Sequence, residues 1–290
     1  MAIAGQKEAS IEQLGPFTLN TCRYTLSAIL LGLLLPFIQN ASKHNKDDDD
    51  DIDEEDNDNY YDDDNNDNNK VNDLQSVSLI ERFIASLNDN TKLYFCGITL
   101  AILNFTASSF QQIGIAYTSS AESSFYTGFY VVFTPLLQAL FPLILLDSKS
   151  RNVMKLNVWI SVGLSMFGLF IISGSSISEI QIDVGEFETL IGAFFWTLHI
   201  IFTDIATDHV DPLALTLIQL TGTALISLLF SQTFEYDDWN TNLFDSWKVI
   251  LFLGIVECVG FTAGAFGQTH APSHHAAIVS IYYLYFNTNH

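Results

Sequence analysis

The sequence predicts an all-α, polytopic membrane protein. Three observations carry that prediction: apolar runs of bilayer-crossing length recur along the chain, the joints between most of them are short and polar, and much of the acidity sits in one tract. The chain has 290 residues, 49% of them hydrophobic, yet its formal net charge is −22. Fifteen of its 33 acidic residues lie between Asp47 and Asp73, where Lys70 is the one base; elsewhere 18 acids face 10 bases. Acidity confined to one insert does not indicate a basic partner for the whole protein, and a soluble acidic protein would spread its charge over a surface. The opening "MAIAGQKEASIEQLGP" is too polar for the apolar core of a signal peptide. Cys22, Cys96 and Cys258 all lie in apolar runs and read as small buried side chains, with neither a disulfide framework nor a zinc spacing.

Crossing a hydrocarbon core of about 30 Å takes roughly 20 mostly apolar residues. Runs near that standard are 17–38, 93–115, 123–146, 156–173, 190–206 and 213–230. A seventh, 249–267, is interrupted by Glu257, and an eighth begins at Ala276, so about eight transmembrane helices are expected. Backbone polar groups in lipid must bond within their own segment, which makes helices of these runs. Lys43, Lys46, Lys70, Arg82 and Lys92 fall between the first two runs, and Lys149, Arg151 and Lys155 between the third and fourth. The joints 116–122, 174–189 and 231–245 hold no Lys or Arg, so the basic joints are expected to face the cytoplasm. The low-complexity tract "DDDDDIDEEDNDNYYDDDNNDNN", within an insert of about 44–75, cannot bury apolar surface and is expected to be disordered. Its carboxylates lack the spacing of a calcium loop.

An internal repeat is visible. "GPFTLNTCRYTLSAILLGLL" aligns with "DPLALTLIQLTGTALISLLF" at an offset of 196, where Pro16, Leu19, Thr25, Ala28 and Leu33 recur as Pro212, Leu215, Thr221, Ala224 and Leu229. "GIAYTSSAESSF" aligns with "GQTHAPSHHAAI" at an offset of 153, and the longer first joint accounts for the difference of 43. Each half then reads as five helices, the first helix missing from the first half and the last from the second. An odd helix count per repeat makes the halves antiparallel in the membrane. The expected division is 1–173 for the first repeat and 185–290 for the second, the latter truncated in its fourth helix.

The segments "GPFTLNTCRYTLSAILL", "GIAYTSSAESSFYTGFYVVFTPLL", "LIGAFFWTLHIIFTD" and "GQTHAPSHHAAIVSI" together resemble EamA-type members of the drug/metabolite transporter superfamily. The resemblance runs from about Gly15 to Ser280, apart from the acidic insert. It implies ten transmembrane helices in two inverted five-helix repeats, cytoplasmic termini, and movement of small organic solutes such as amino acids, drugs or nucleotide-conjugated sugars. Two departures stand out: no first helix is present, and Tyr282 and Tyr283 stand where the family places Glu and Pro.

Ionisable groups inside membrane spans face a cavity or a partner. Arg23 reads as an anion contact, as helix pairing, or as a side chain snorkelling to an interface. Glu122, at a helix start, is favoured by the positive dipole end, and Ser119, Ser120 and Ser123 can cap the same turn; the rival reading is a proton or cation site at the outer mouth. Glu257 in mid-run must be neutral or paired, and reads either as cavity lining or as structure. Gln111, Gln112, Gln219 and Gln268 can bond solute or neighbouring helices, and Tyr117, Tyr126, Tyr130 and Trp196 read as interface belt or cavity lining. Gly128, Gly163 and Gly168 are expected to allow close helix contact. His199 and Asp204 are five apart, a poor spacing for one metal site on a helix, and the neighbours His274 and His275 read as an interfacial loop pair. No nucleotide loop, nucleophile elbow, metal-spaced cluster or basic nucleic-acid patch is present, so neither a cofactor, a bound metal nor nucleic acid is expected.

The resulting expectation is a secondary carrier working by alternating access, not an enzyme. Its partners are the lipid bilayer, a small-molecule solute, a coupling proton or cation, and a second copy as a homodimer. The rival readings are an inactive or regulatory fragment of such a carrier, and a multi-pass membrane enzyme built on His274, His275 and Glu257.

Overall fold

The computed structural model describes residues 14–50, 78–141, 156–173, 183–237, 239, 246–269, 271 and 273–278. These form α1 (Pro16–Asp50), α2 (Leu79–Ala85), α3 (Asp89–Tyr117), α4 (Ser120–Thr127), α5 (Tyr130–Leu140), α6 (Leu156–Ser173), α7 (Val184–Thr207), α8 (Pro212–Phe234) and α9 (Trp247–Gln268), with no strand among the described residues. Pro16–Phe37 of α1 and the whole of α3, α7, α8 and α9 are long and apolar enough to cross a membrane. Residues 273–278 form one further helical stretch.

Helix ends are satisfied by side chains. Asp211 caps α8 by accepting from the Ala214 amide at 2.8 Å, and Pro212 at the first helical position needs no partner for an absent N–H. The start of α1 is capped across the molecule: the Glu235 carboxylate, just past α8, accepts from the amides of Phe17 (3.1 Å) and Thr18 (2.7 Å). A carboxylate at that position also meets the positive end of the helix dipole.

Helix α3 lies centrally, packed on α7 and α8; α1 packs on α8 and α9, and α4 and α5 lie against α7. The α3–α7 contact is closest where glycines face each other. A Cβ on Gly114 would lie 2.6 Å from the Gly185 carbonyl oxygen, and one on Gly185 would lie 2.9 Å from that of Gly114. Gly192 of α7 approaches the Ala107 carbonyl of α3. Close backbone approach of this kind is how membrane helices gain packing without a hydrophobic driving force. Gly163 and Gly168 of α6 have open space around them among the described residues, so the close contacts expected there fall on other glycines.

Three expectations change. The described part of the run 123–146, up to residue 141, is two helices, because the chain tightens to i→i+3 bonds at Gly128 and Phe129 (Phe129 amide to Tyr126 carbonyl, 3.2 Å; Val131 amide to Gly128 carbonyl, 3.1 Å). Glycine weakens a helix interior by about 1 kcal/mol, and Pro135, inside α5, also denies an amide to the ladder. Gly128, itself buried, therefore sits at the break between the two helices. Helix α1 continues to Asp50, past the expected end and into the acidic insert, since adding residues to a formed helix costs far less than nucleating one. Residues 51–75 of that insert, the basic joint with Lys149, Arg151 and Lys155, and the eighth run beyond residue 278 lie outside the described residues.

Gly114→Val should force α3 and α7 apart at a destabilisation of about 1–3 kcal/mol, read as a lower melting temperature of the purified protein in detergent. Gly163→Val, with open space around it, should leave that temperature unchanged. Equal melting of the two variants would contradict the packing described.

Candidate functional site

A cavity of about 750 Å³ runs from the middle of the spans toward the C-terminal ends of α7 and α9 and the N-terminal end of α8, with α3, α4 and α5 on one side. Its volume is that of a small-molecule site. One face of α7 supplies Trp196, His199, Ile200 and Thr203, spaced i, i+3, i+4 and i+7. Helix α9 supplies Glu257, Gly260, Phe261, Gly264 and Gln268 in the same rhythm, and Thr216 and Gln219 come from α8. His275 faces the cavity from the helical stretch that follows α9.

The wall is partly self-satisfied. Trp196 Nε1 donates to Gln111 Oε1 at 3.2 Å, and Gln111 Nε2 donates to Thr127 Oγ1 at 3.1 Å, which ties α7, α3 and α4 together. Gln268 Nε2 donates to the Ile200 carbonyl at 3.2 Å. The rings of Trp196, His199 and Phe261 form a triangle with centroids 5.5, 5.7 and 6.1 Å apart.

Behind the wall runs a buried polar chain. Arg23, 1% exposed, donates from Nη1 to Glu257 Oε1 at 3.1 Å. Its Nη2 donates to the Tyr24 hydroxyl (3.3 Å), which donates to Asn104 Oδ1 (3.2 Å); Asn104 Nδ2 donates to Thr223 Oγ1 (3.2 Å). Four helices, α9, α1, α3 and α8, are thereby joined near the middle of their spans. Ser27 Oγ, one turn on from Arg23, lies 2.8 Å from the Gly254 carbonyl and repeats the α1–α9 link.

The residues singled out in the sequence are distributed as follows. Trp196, Gln219, Glu257 and Gln268 line the cavity, and Arg23 lies behind it on Glu257. Gln112 is buried in α3 away from the cavity wall. Tyr117 is 72% exposed at the end of α3, and Tyr126 is buried against Phe125 and Phe129. Glu122 forms a capping box with Ser119 at the start of α4. Bonds from Ser119, with a further one from Thr118, hold its carboxyl below the usual range. The Thr118 hydroxyl lies between Glu122 (3.0 Å) and Glu186 (2.7 Å) and, carrying one proton, donates to one of them at a time. His274 is buried with its ring 4.5 Å from that of His275, and the Ser273 amide donates to Asp204 Oδ2 at 2.7 Å. Sequence reading passed over Thr127, Thr203, Thr216, Phe261 and the cavity role of His199. The i, i+3, i+4, i+7 face through Trp196 and the one through Glu257 were the signals that would have found most of them.

Residues 184–284 match the family model of the EamA-like transporter family, consistent with an EamA-type member of the drug/metabolite transporter superfamily. That span covers α7, α8, α9 and the stretch after them, the elements that build most of the cavity. No curated protein and no solved structure matches the chain. The apolar spans and this match make the chain an integral, multi-pass membrane protein.

Removing one partner of the buried ion pair should cost about 3–5 kcal/mol, so Glu257→Ala should melt well below the parent in detergent. Arg23→Met combined with Glu257→Leu should recover most of that loss. A double variant no better than Glu257→Ala would show that the two groups do not depend on each other. Glu122 gives a sign for pH. Its folded-state carboxyl titrates lower than in the unfolded chain, so the contribution of the capping box is complete at neutral pH and fades as pH falls through the carboxylate range. Glu122→Gln should flatten that acid limb in a melting-temperature profile against pH.

Proposed function

With residues 184–284 carrying the pattern of EamA-like transporters, we propose that this chain is a secondary carrier of a small organic solute, working by alternating access. The observation that carries the reading is the cavity between the spanning helices lined by Trp196, Gln219, Glu257 and Gln268. A cavity of that volume, walled by helices and furnished with a few aimed polar groups, is suited to enclosing a solute and not to conducting ions in file. The two inverted repeats, 1–173 and 185–290, are the bodies that exchange the opening from one side to the other. In this reading the basic joints face the cytoplasm, and the Glu122 mouth, with the Lys- and Arg-free joint around it, faces the other side.

The Arg23–Glu257 pair then has a functional consequence. A carboxylate alone in a cavity wall would draw protons or cations whenever the cavity emptied. Pairing with Arg23 gives Glu257 a neutral net environment, so the empty carrier returns without dragging an uncompensated charge across the membrane.

Proteoliposomes containing the purified chain, incubated with a small-molecule cell extract, test the reading by mass spectrometry of their contents. At least one organic solute should accumulate over protein-free vesicles, and Trp196→Ala should abolish or reduce its uptake at least about tenfold, since contacts in a desolvated site are worth about 1–3 kcal/mol each. Vesicle contents indistinguishable from the protein-free control across the extract would rule out the carrier reading.

A further inference from the structure

Two buried polar atoms on the cavity wall have no hydrogen-bond partner among the described residues: His199 Nε2 and Gln219 Nε2. His199 is 5% exposed and Gln219 is 3% exposed, both line the cavity, and the Gln219 side chain reaches the His199 ring. The adjacent Trp196 and Gln111 bond to each other. One part of the wall is therefore saturated while another lacks two bonds. A buried amide or imidazole nitrogen without a partner costs about 1–3 kcal/mol, a cost that a suitable solute removes on binding.

The charge of that solute follows from what surrounds it. Among the described lining residues there is no Lys or Arg. Arg23 is buried behind the wall and held by Glu257. A carboxylate or phosphate entering the cavity would meet the Glu257 carboxylate and no lysine or arginine to pair with, and an ion desolvated without a partner is costly. A cation would meet a Glu257 already neutralised by Arg23. An uncharged solute suffers neither cost. Its shape follows from the Trp196, His199 and Phe261 rings, which present aromatic surface to the same space and favour a planar ring system.

Resting on the carrier reading above, we propose that the cavity takes an uncharged, planar heteroaromatic solute with adjacent N–H and C=O groups on one edge. The Gln219 amide donates to the solute carbonyl. The solute N–H donates to His199 Nε2, with the ring proton on Nδ1. Each orphaned atom is satisfied, and the solute's own polar edge is satisfied in the same event.

Hypoxanthine carries such an edge, 1-methylhypoxanthine lacks its N–H, and purine-6-carboxylate replaces the carbonyl with an anion. Binding of the three to the full chain in nanodiscs, measured by calorimetry, tests the solute class without altering the protein. Hypoxanthine should bind, methylation should weaken binding at least about tenfold, and the carboxylate should not compete. Gln219→Met, which keeps the side-chain length, should bring hypoxanthine down to the level of its methylated form. Equal binding of hypoxanthine and 1-methylhypoxanthine, or tighter binding of the carboxylate, overturns the proposal. Uptake of the same compounds and of tetraethylammonium into proteoliposomes separates the two readings. Accumulation of the carboxylate or of tetraethylammonium alone overturns the solute class and leaves the carrier standing, whereas accumulation of nothing, from this set or from the cell extract, overturns both.

Discussion

A guanidinium cannot be left without partners in the middle of a membrane protein, and much of this arrangement follows from where Arg23 finds them. It is 1% exposed and pairs with Glu257 of α9, 234 residues away in sequence. Its second nitrogen starts the chain through Tyr24, Asn104 and Thr223. In hydrocarbon an alternative in which these groups separate is far more costly than in water, because no solvent takes over the lost bonds. The chain therefore specifies which helices are neighbours and at what depth. Hydrogen bonds between membrane helices are individually modest, about 0.6 kcal/mol on average. What this set adds is registry: slide α1 by one turn against α9 and both the ion pair and the Ser27–Gly254 bond are lost together.

That registry shapes the cavity wall. Glu257 faces both ways, held by Arg23 from behind yet lining the space in front. Gln111 has committed both ends of its amide, one to Trp196 and one to Thr127, so it is a rigid part of the wall and a poor direct ligand. Gln219 and His199 each keep one nitrogen uncommitted, and in the proposed reading selectivity would rest on them. An analogue lacking a matching group leaves these atoms buried and unpaired, and sites with hydrogen-bonding demand reject such analogues far more strongly than apolar pockets reject a missing methylene.

Most of the helical framework was legible in the sequence because hydropathy over twenty residues is a direct record of what lipid requires. The runs 93–115, 190–206, 213–230 and 249–267 lie inside α3, α7, α8 and α9, which extend past them by a few polar or capping residues. The same averaging hid the break at Gly128–Phe129, because the apolar run 130–140 outweighs the more polar turn before it and the hydrogen-bond pattern that changes there leaves no mark on hydropathy. It also gave α1 too early an end, since apolar content stops near Phe37 while the helix does not. At the site, Arg23 and Glu257 were conspicuous as charges in apolar runs, but their pairing was not, because nothing in one sequence records which distant residues meet. His199 was set aside for want of a metal partner on its own helix. Its partner is Gln219 on another, and its place beside Trp196 one turn away was the available clue.

The glycines show how one residue type serves opposite ends in a single bundle. Gly114, Gly185 and Gly192 lie where a Cβ would strike neighbouring backbone, and they let α3 and α7 pack backbone against backbone. Gly260, Gly264 and Gly267 of α9 have nothing within 4 Å of an added Cβ among the described residues, and all three line the cavity. Steric pressure cannot account for them, because larger side chains would fit. What larger side chains would do is fill the cavity. A helix with alanine or leucine at those three positions would keep its membrane span and its Glu257 pair but leave less room between α9 and α7. Space in this protein is thus written into α9 by omission, opposite the aromatic and polar groups of α7 and α8, and in the proposed reading the width of that glycine face would set how large a solute the wall can admit.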